Sequence, residues 1–305
     1  HSIICAAKPH GAALRPHRGK VIVKGMTKTR KIRDGLLYGL MAAGLVLVGG
    51  ILFSILAYIL VQSAGFLNLS FIFTSAEDGG IFPMVITTFY MVLVSLVIAL
   101  PVGIMTAVFL NEYSGNTPAI RLLRLAIETL AGIPSIIYGL FGLLMFCRVF
   151  KLGQSIIAGA LTLSIMILPV IIRTVEESLK TVPDSFREGS LSLGAAKFQT
   201  IFFVVIPPAL PGIVTSAILA IGRVVGESAP VLLTVGITRN LPKSIFESGR
   251  TLTIHLYYLT KEAINPDDFG TAFAAAGILI ILVLLINTAA KIITWAFRKR
   301  MGGNE

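Results

Sequence analysis

Six blocks of the sequence, at about 36–62, 82–110, 125–147, 154–172, 209–238 and 271–297, run almost without charge. As a helix, an apolar stretch of about 20 residues crosses roughly 30 Å of hydrocarbon. Inside lipid a spanning segment must satisfy its own backbone hydrogen bonds. The blocks are apolar all round instead of along one stripe, so they predict an all-α polytopic membrane bundle of six transmembrane helices. Composition agrees: 55% of residues are hydrophobic and 13% charged, where soluble domains carry roughly a quarter charged. Mean hydropathy is +0.87. Soluble α/β enzymes, disordered tails and β-barrels are excluded.

The net charge of +11 would suggest nucleic acid in a soluble protein, but here the basic residues sort by side. With both termini cytoplasmic, the inner segments hold 19 Lys and Arg and the outer segments six (Arg148, Lys151, Arg239, Lys243, Arg250 and Lys261). The positive-inside rule selects that orientation, and the excess is topological, with no nucleic-acid partner implied. His1–Gly25 is basic and lacks the roughly 7–15-residue apolar core of a signal peptide. Met26 reads as the natural start and residues 1–25 as a non-native or disordered leader, which leaves 26–305 as one membrane domain. Cys5 and Cys147 offer neither a disulfide framework nor a metal pair.

The remaining basic residue, Arg223, falls inside the fifth block, in GRVVGESAP (Gly222–Pro230). Glu227 follows one turn later on the same helix face. A charge at that depth costs about 2.5–3.5 kcal/mol on insertion scales and faces a bundle interior or a wet cavity. Two readings stand side by side: a structural ion pair with Gly222 and Gly226 as a GxxxG packing face, or an anion path. An arginine suits the latter, since its five donors match an oxyanion and its charge persists when partly desolvated. Nearby, Glu128 four residues after Arg124 reads as an i,i+4 pair. Pro101, Pro134, Pro169 and Pro230 interrupt spans two to five and read as tolerated kinks.

Between spans four and five, residues 173–208 carry a polar segment in which Pro183, Asp184 and Ser185 start a short helix and Gly194 turns the chain. Such a helix under the membrane is either a grip for a soluble partner or a plain surface loop. The segment resembles the signature loop of ABC-importer permeases. Glu188-Gly189-Ser190 stands for the family's Glu-Ala-Ala, Gly194 for its glycine, and Val204-Val205-Ile206-Pro207 for its closing apolar-Pro element. Gly189 in place of alanine weakens the helix by about 1 kcal/mol.

The runs Gly79–Phe89, Glu128–Leu143 and Ala209–Pro230 are similar to the phosphate ABC-transporter permeases, and GESAP after the arginine looks like the PstA type more than its PstC-type sibling. That resemblance implies a type I ABC-importer permease fold in a prokaryotic cytoplasmic (inner) membrane. It implies Arg223 and Glu227 on the phosphate path, and Asp184, Arg187, Glu188, Gly189, Ser190 and Gly194 in the ATPase-coupling helix. It further implies a PstC-type permease partner, two PstB-type ATPases that use ATP and Mg, and a PstS-type extracytoplasmic phosphate-binding protein. The longest outer segment, 239–270, would be the landing surface for that protein or simply an interfacial helix with Tyr257 and Tyr258 at headgroup level.

No GxxxxGK[ST], HExxH or GxSxG occurs, so the chain has no P-loop, catalytic residues or metal site of its own in sequence terms. It reads as a transporter subunit that binds no cofactor and surrounds itself with membrane lipid. The alternatives are a permease for another oxyanion such as sulfate or molybdate, a secondary transporter or channel, and a membrane scaffold. A secondary transporter would show a second broken-helix copy of GRVVGESAP, and none is present.

Overall fold

The computed structural model describes residues 28–66, 69–74, 80–115, 117–263 and 266–300. The leader at 1–25, Cys5, Gly79 and the side chains of Asp267 and Asp268 lie outside what is described. Among the described residues every regular element is a helix: α1 (Lys28–Ala64), α2 (Leu69–Phe73), α3 (Phe82–Val108), α4 (Pro118–Gly132), α5 (Ser135–Gly142), α6 (Ile156–Lys180), α7 (Asp184–Ser192), α8 (Lys197–Thr200), α9 (Ile206–Gly226), α10 (Ala229–Thr234), α11 (Leu252–Glu262) and α12 (Pro266–Arg300). Wider π-helical turns continue α3 (Phe109–Tyr113) and α5 (Leu143–Val149), and join α8 to α9 (Ile201–Val205). Five stretches are long and apolar enough to cross a membrane: Arg33–Ala64, Phe82–Tyr113, Ile156–Lys180, Lys197–Gly226 and Phe269–Ile292. The pair Pro118–Gly132 and Ser135–Val149, bent by 102°, makes a sixth if counted as one span.

Two compact units divide between Ile55 and Leu56. In the first, the front of α1 leaves Leu36, Met41, Leu45 and Phe53 exposed, as expected of a helix whose neighbours are lipid or other chains. The second holds the rest, including the tail of α1, where the rings of Tyr58 and Phe273 meet edge to face with centroids 5.7 Å apart.

The core of that second unit is α6 packed between α3 and α9, with Leu163, Ile167, Ile171 and Val175 fully buried. Lipid tails are as apolar as leucine, so such helices associate through close approach and interhelical hydrogen bonds. Small residues provide both here. A Cβ on Gly103 would lie 2.6 Å from Ile171 Cγ2, and one on Gly212 would collide with Ser178. Ser178 Oγ donates to the Ala209 carbonyl at 2.9 Å and Ser164 Oγ to the Ser95 carbonyl at 3.1 Å. At the start of α6, Ser155 caps the helix, and the N–H groups of Ile156 and Ile157 donate to the carbonyls of Glu247 and Ile245. These partners satisfy donors that a helix N-terminus otherwise leaves bare.

The four prolines divide into two kinds. Pro101 and Pro169 lie within α3 and α6 without ending them, whereas Pro134 and Pro230 end helices. A proline ring clashes with the carbonyl four residues back; for Pro230 that residue is Gly226, where α9 stops. Pro134 likewise pushes Ile133 into extended backbone (φ −72°, ψ 131°) and turns the chain sharply. The spans expected at 125–147 and 209–238 are therefore each broken. Their second pieces face one another, because α5 packs on α10 through glycines. A Cβ on Gly139 would lie 2.8 Å from Pro230 Cα, and one on Gly142 would meet Thr234 Cγ2 at 2.9 Å.

The inter-span segment is also shorter than 173–208. α6 runs on to Lys180, and membrane-length helix resumes at Lys197, ahead of Pro207 and Pro208. The π-helical turn Ile201–Val205 opens the backbone just before those prolines and lets the helix pass through them.

Candidate functional site

Arg223 occupies the last turn of α9, where the partial negative charge of the helix end favours a cation. Glu227 is the first residue past that end, in extended backbone (φ −80°, ψ 131°). The two therefore do not share a continuous helix face, as the sequence spacing predicted; they meet across a helix terminus. Arg223 Nε lies 3.7 Å from Glu227 Oε1, close enough for charge attraction and too long for a hydrogen bond. Arg223 Nε is buried with no hydrogen-bond partner among the described residues, while its side chain as a whole is 36% exposed and that of Glu227 18%. The guanidinium is thus held but not used up.

The GxxxG reading finds no support among the described residues. A Cβ on Gly222 or Gly226 would meet nothing within 4 Å, so that face of α9 is open. Tyr138, on α5 just after the break in span three, lies within electrostatic reach of Arg223 and donates its hydroxyl to the Leu130 carbonyl at 2.7 Å. Both broken spans thus contribute to the surroundings of the arginine. Clean loss of helix at each proline leaves backbone groups and small residues where a continuous helix would present a greasy wall.

The second cluster forms at the far end of α6. α7 begins at Asp184 after Pro183, as the sequence implied, but no side chain caps it; Asp184 bonds Arg187 at 3.0 Å instead. Arg187 is the hub. Its Nη2 reaches Glu112 at 2.8 Å, its Nε lies 3.2 Å from each Glu112 oxygen, and it also donates to the Val182 and Leu179 carbonyls at 2.7 and 3.0 Å. Arg187 is 16% exposed and Glu112 8%. The Glu112 hydrogen bonds raise the Arg187 pKa above the usual arginine value, against a smaller opposing effect of burial. Glu112 belongs to the π-helical turn that ends α3, so the short polar helix is clasped to the end of a membrane span.

Around this clasp the expected Arg124–Glu128 pair does not form. Arg124 pairs with Glu176 and Glu128 with Arg173 at 3.1 Å. Helix α4 turns Arg124 toward the buried carboxylate of α6, and a bond between helices outcompetes one along a helix surface. Lys180 adds a contact to the same Glu176 at 3.2 Å. Of the other segment residues, Glu188 and Gly189 are exposed and Ser190 Oγ sits 2.9 Å from Thr200 Oγ1. Gly194 turns the chain at φ +85°, a conformation that L side chains rarely adopt. Phe186, Leu191 and Leu193 stand exposed on or beside α7. Sequence reasoning does not single out Glu112 and Glu176; a lone acid at the end of an apolar block is the available signal for Glu112, and Glu176 stands beside Glu177 with nothing local to set it apart.

Among the described residues no group of three or more His, Cys, Asp and Glu is placed to hold a metal. Residues 99–302 match the family described as "Binding-protein-dependent transport system inner membrane component". Among curated proteins, the chain is similar to the "Probable ABC transporter permease protein YqgI" of Bacillus subtilis, 35% identical over 90% of this chain and 99% of that one. It is 40% identical to the "Phosphate transport system permease protein PstA 1" of Mycobacterium tuberculosis over 73% of each chain. Among solved structures it resembles the inward-facing MetNI methionine ABC transporter, at 28% identity and a TM-score of 0.56 over 72% of this chain and 94% of that one. A bacterial alginate ABC transporter shares the fold at a TM-score of 0.66 and 14% identity, over 89% of this chain and 96% of that one.

Proposed function

The chain belongs to the family of binding-protein-dependent transport system inner membrane components, and on that premise we propose that it is a permease subunit of an ATP-driven importer of inorganic phosphate. It is a multi-pass permease component of an ABC importer and not itself an ATPase. The observation that carries the phosphate reading is Arg223: a guanidinium at the end of a broken membrane helix, with a buried Nε left without a hydrogen-bond partner and an open glycine face beside it. The similarity to a phosphate permease over 73% of the chain supports the same anion.

In this reading phosphate, carrying one to two negative charges, exchanges water for the arginine's forked donors. Glu227 at 3.7 Å tempers the attraction, and conduction needs a site weak enough to leave. A PstC-type sibling permease completes the path, and a PstS-type protein delivers phosphate from outside. Two PstB-type ATPases, using ATP and Mg, grip the α7 segment by Phe186, Leu191 and Leu193, and Arg187 passes their movement to α3 through Glu112. The chain itself binds no cofactor. Both termini lie in the cytoplasm.

Labelled phosphate uptake into proteoliposomes holding all four components tests this. Uptake should require ATP and be outcompeted by unlabelled phosphate far better than by sulfate or molybdate. Arg223→Gln should cut it by at least tenfold. Full activity in that variant would remove Arg223 from the path, and preferential competition by sulfate would change the substrate.

A further inference from the structure

A second concentration of cationic side chains lies at the opposite end of α6 from the clasp, in the segment after α10. Arg250 is 6% exposed, and its Nη1 is buried without a hydrogen-bond partner among the described residues. Its Nε donates to the Ile237 carbonyl at 3.0 Å, and its guanidinium stacks 4.6 Å from the centre of the Tyr258 ring. No carboxylate pairs with it among the described residues. One turn before Tyr258 on the same face of α11, His255 is 8% exposed with Nδ1 likewise unpartnered. His255 and Arg239 line a cavity of about 190 Å³ together with Phe71, Met84, Leu259 and Thr271. Arg239 is half-exposed and only loosely held by Glu262 at 3.7 Å.

Buried donors without partners are rare and costly, and a buried guanidinium lacking a counter-charge more so. Among the described side chains, two guanidiniums stand against one carboxylate, that of Glu262. Burial, and after it Arg250 and Arg239, hold the His255 pKa down at about 4, so the imidazole is neutral near pH 7 and offers one N–H. The backbone around it is fixed: the Leu252 N–H donates to Thr88 Oγ1 at 2.9 Å, and Thr253 Oγ1 donates to the Val225 carbonyl at 2.6 Å. Val225 lies between Arg223 and Glu227, so α11 is tied directly to the turn that carries them.

We infer that Arg250, His255 and Arg239 form a second binding site for a small tetrahedral oxyanion, on the far side of α11's tether from Arg223. The unpartnered Arg250 Nη1 and His255 Nδ1, and the cavity that His255 and Arg239 line, carry the inference; it rests on the phosphate reading only for which oxyanion fills the site. The chemistry shared by its two natural sources, free phosphate and a phospholipid headgroup, is a phosphate oxyanion, and the experiment below separates the two. An anion there meets buried polar atoms that a folded protein rarely leaves bare.

The full chain, purified in phospholipid-free detergent, is titrated with inorganic phosphate while thermal unfolding is followed, with chloride at matched ionic strength as control. A ligand that binds only the folded state raises the unfolding temperature with concentration. Phosphate should stabilise the wild type beyond chloride. Arg250→Gln and Arg239→Gln should each need at least tenfold more phosphate for the same shift. Arg239, being half-exposed, supplies a variant that folds even if Arg250→Gln does not. Arg223→Gln should keep the shift while losing uptake, which separates this site from the transport reading. Equal responses in Arg239→Gln and wild type, or loss of the shift in Arg223→Gln alone, would overturn the proposal. Suppression of the response by added phosphatidylglycerol would also overturn it, by assigning the site to a headgroup.

Discussion

Arg187 and Glu112 show how one contact ties the polar segment to the membrane part. The pair is largely buried and hydrogen-bonded through three contacts, so removing one charge leaves the other short of a partner. Glu112→Gln should lower stability by about 1–3 kcal/mol, since Arg187 keeps Asp184 and two carbonyls. It should also raise the ATP consumed per phosphate moved, measured by hydrolysis and uptake in the same vesicles; an unchanged ratio would reduce the clasp to scaffolding. His255 gives a pH test. Buried beside Arg250 and Arg239, the first of which in turn meets Tyr258 and Glu262, it titrates at about 4 in the folded protein and at about 6.5 unfolded. The unfolded chain takes the proton first, so the contribution is complete above about pH 6.5 and is lost as pH falls toward 4. It amounts to about 3 kcal/mol. In phosphate-free detergent the unfolding temperature of the wild type should fall across that window more steeply than that of His255→Gln. Parallel slopes would mean that another group governs it.

At the scale of elements, the breaks matter more than the spans. Pro134 and Pro230 end their helices, and the pieces beyond them lock together through Gly139 and Gly142. Gly142→Ala would press a methyl group onto Thr162 and Thr234 and should cost roughly 1–3 kcal/mol, as overpacking does. Gly222→Ala, with open space around it, should leave monomer stability within about 0.5 kcal/mol. Thermal unfolding in detergent checks both, and an equal loss in the two would contradict the packing described. Sequence reading located Arg223 and Glu227, the helix start at Pro183 and the turn at Gly194, because each departs from a local rule: a charge in lipid, a proline, a glycine. It placed Arg124 with Glu128 because sequence spacing reveals neighbours along one helix and is blind to Glu176 on another.

For the whole molecule, the distribution of basic residues predicts an orientation, and the fold gives it a test. With Cys5 and Cys147 replaced by alanine, a cysteine at Leu193, which is 90% exposed beside α7, should react with an impermeant maleimide only from the cytoplasmic face. A cysteine at exposed Lys261 should react only from outside. Labelling in the reverse sense would invert the topology and with it the roles of the two charged ends. The length and greasiness of the six blocks, their number and the bias of their flanking charges determined by themselves that this chain is a membrane bundle, because hydrocarbon penalises an unsatisfied backbone and an unpaired charge one residue at a time. Only the tertiary structure decided which prolines break a helix and which lie within one, that Glu112 holds Arg187, and that Arg250 and His255 are buried with unpartnered polar atoms. Those outcomes depend on which groups from distant parts of the chain arrive beside them, and a linear pattern does not contain that information.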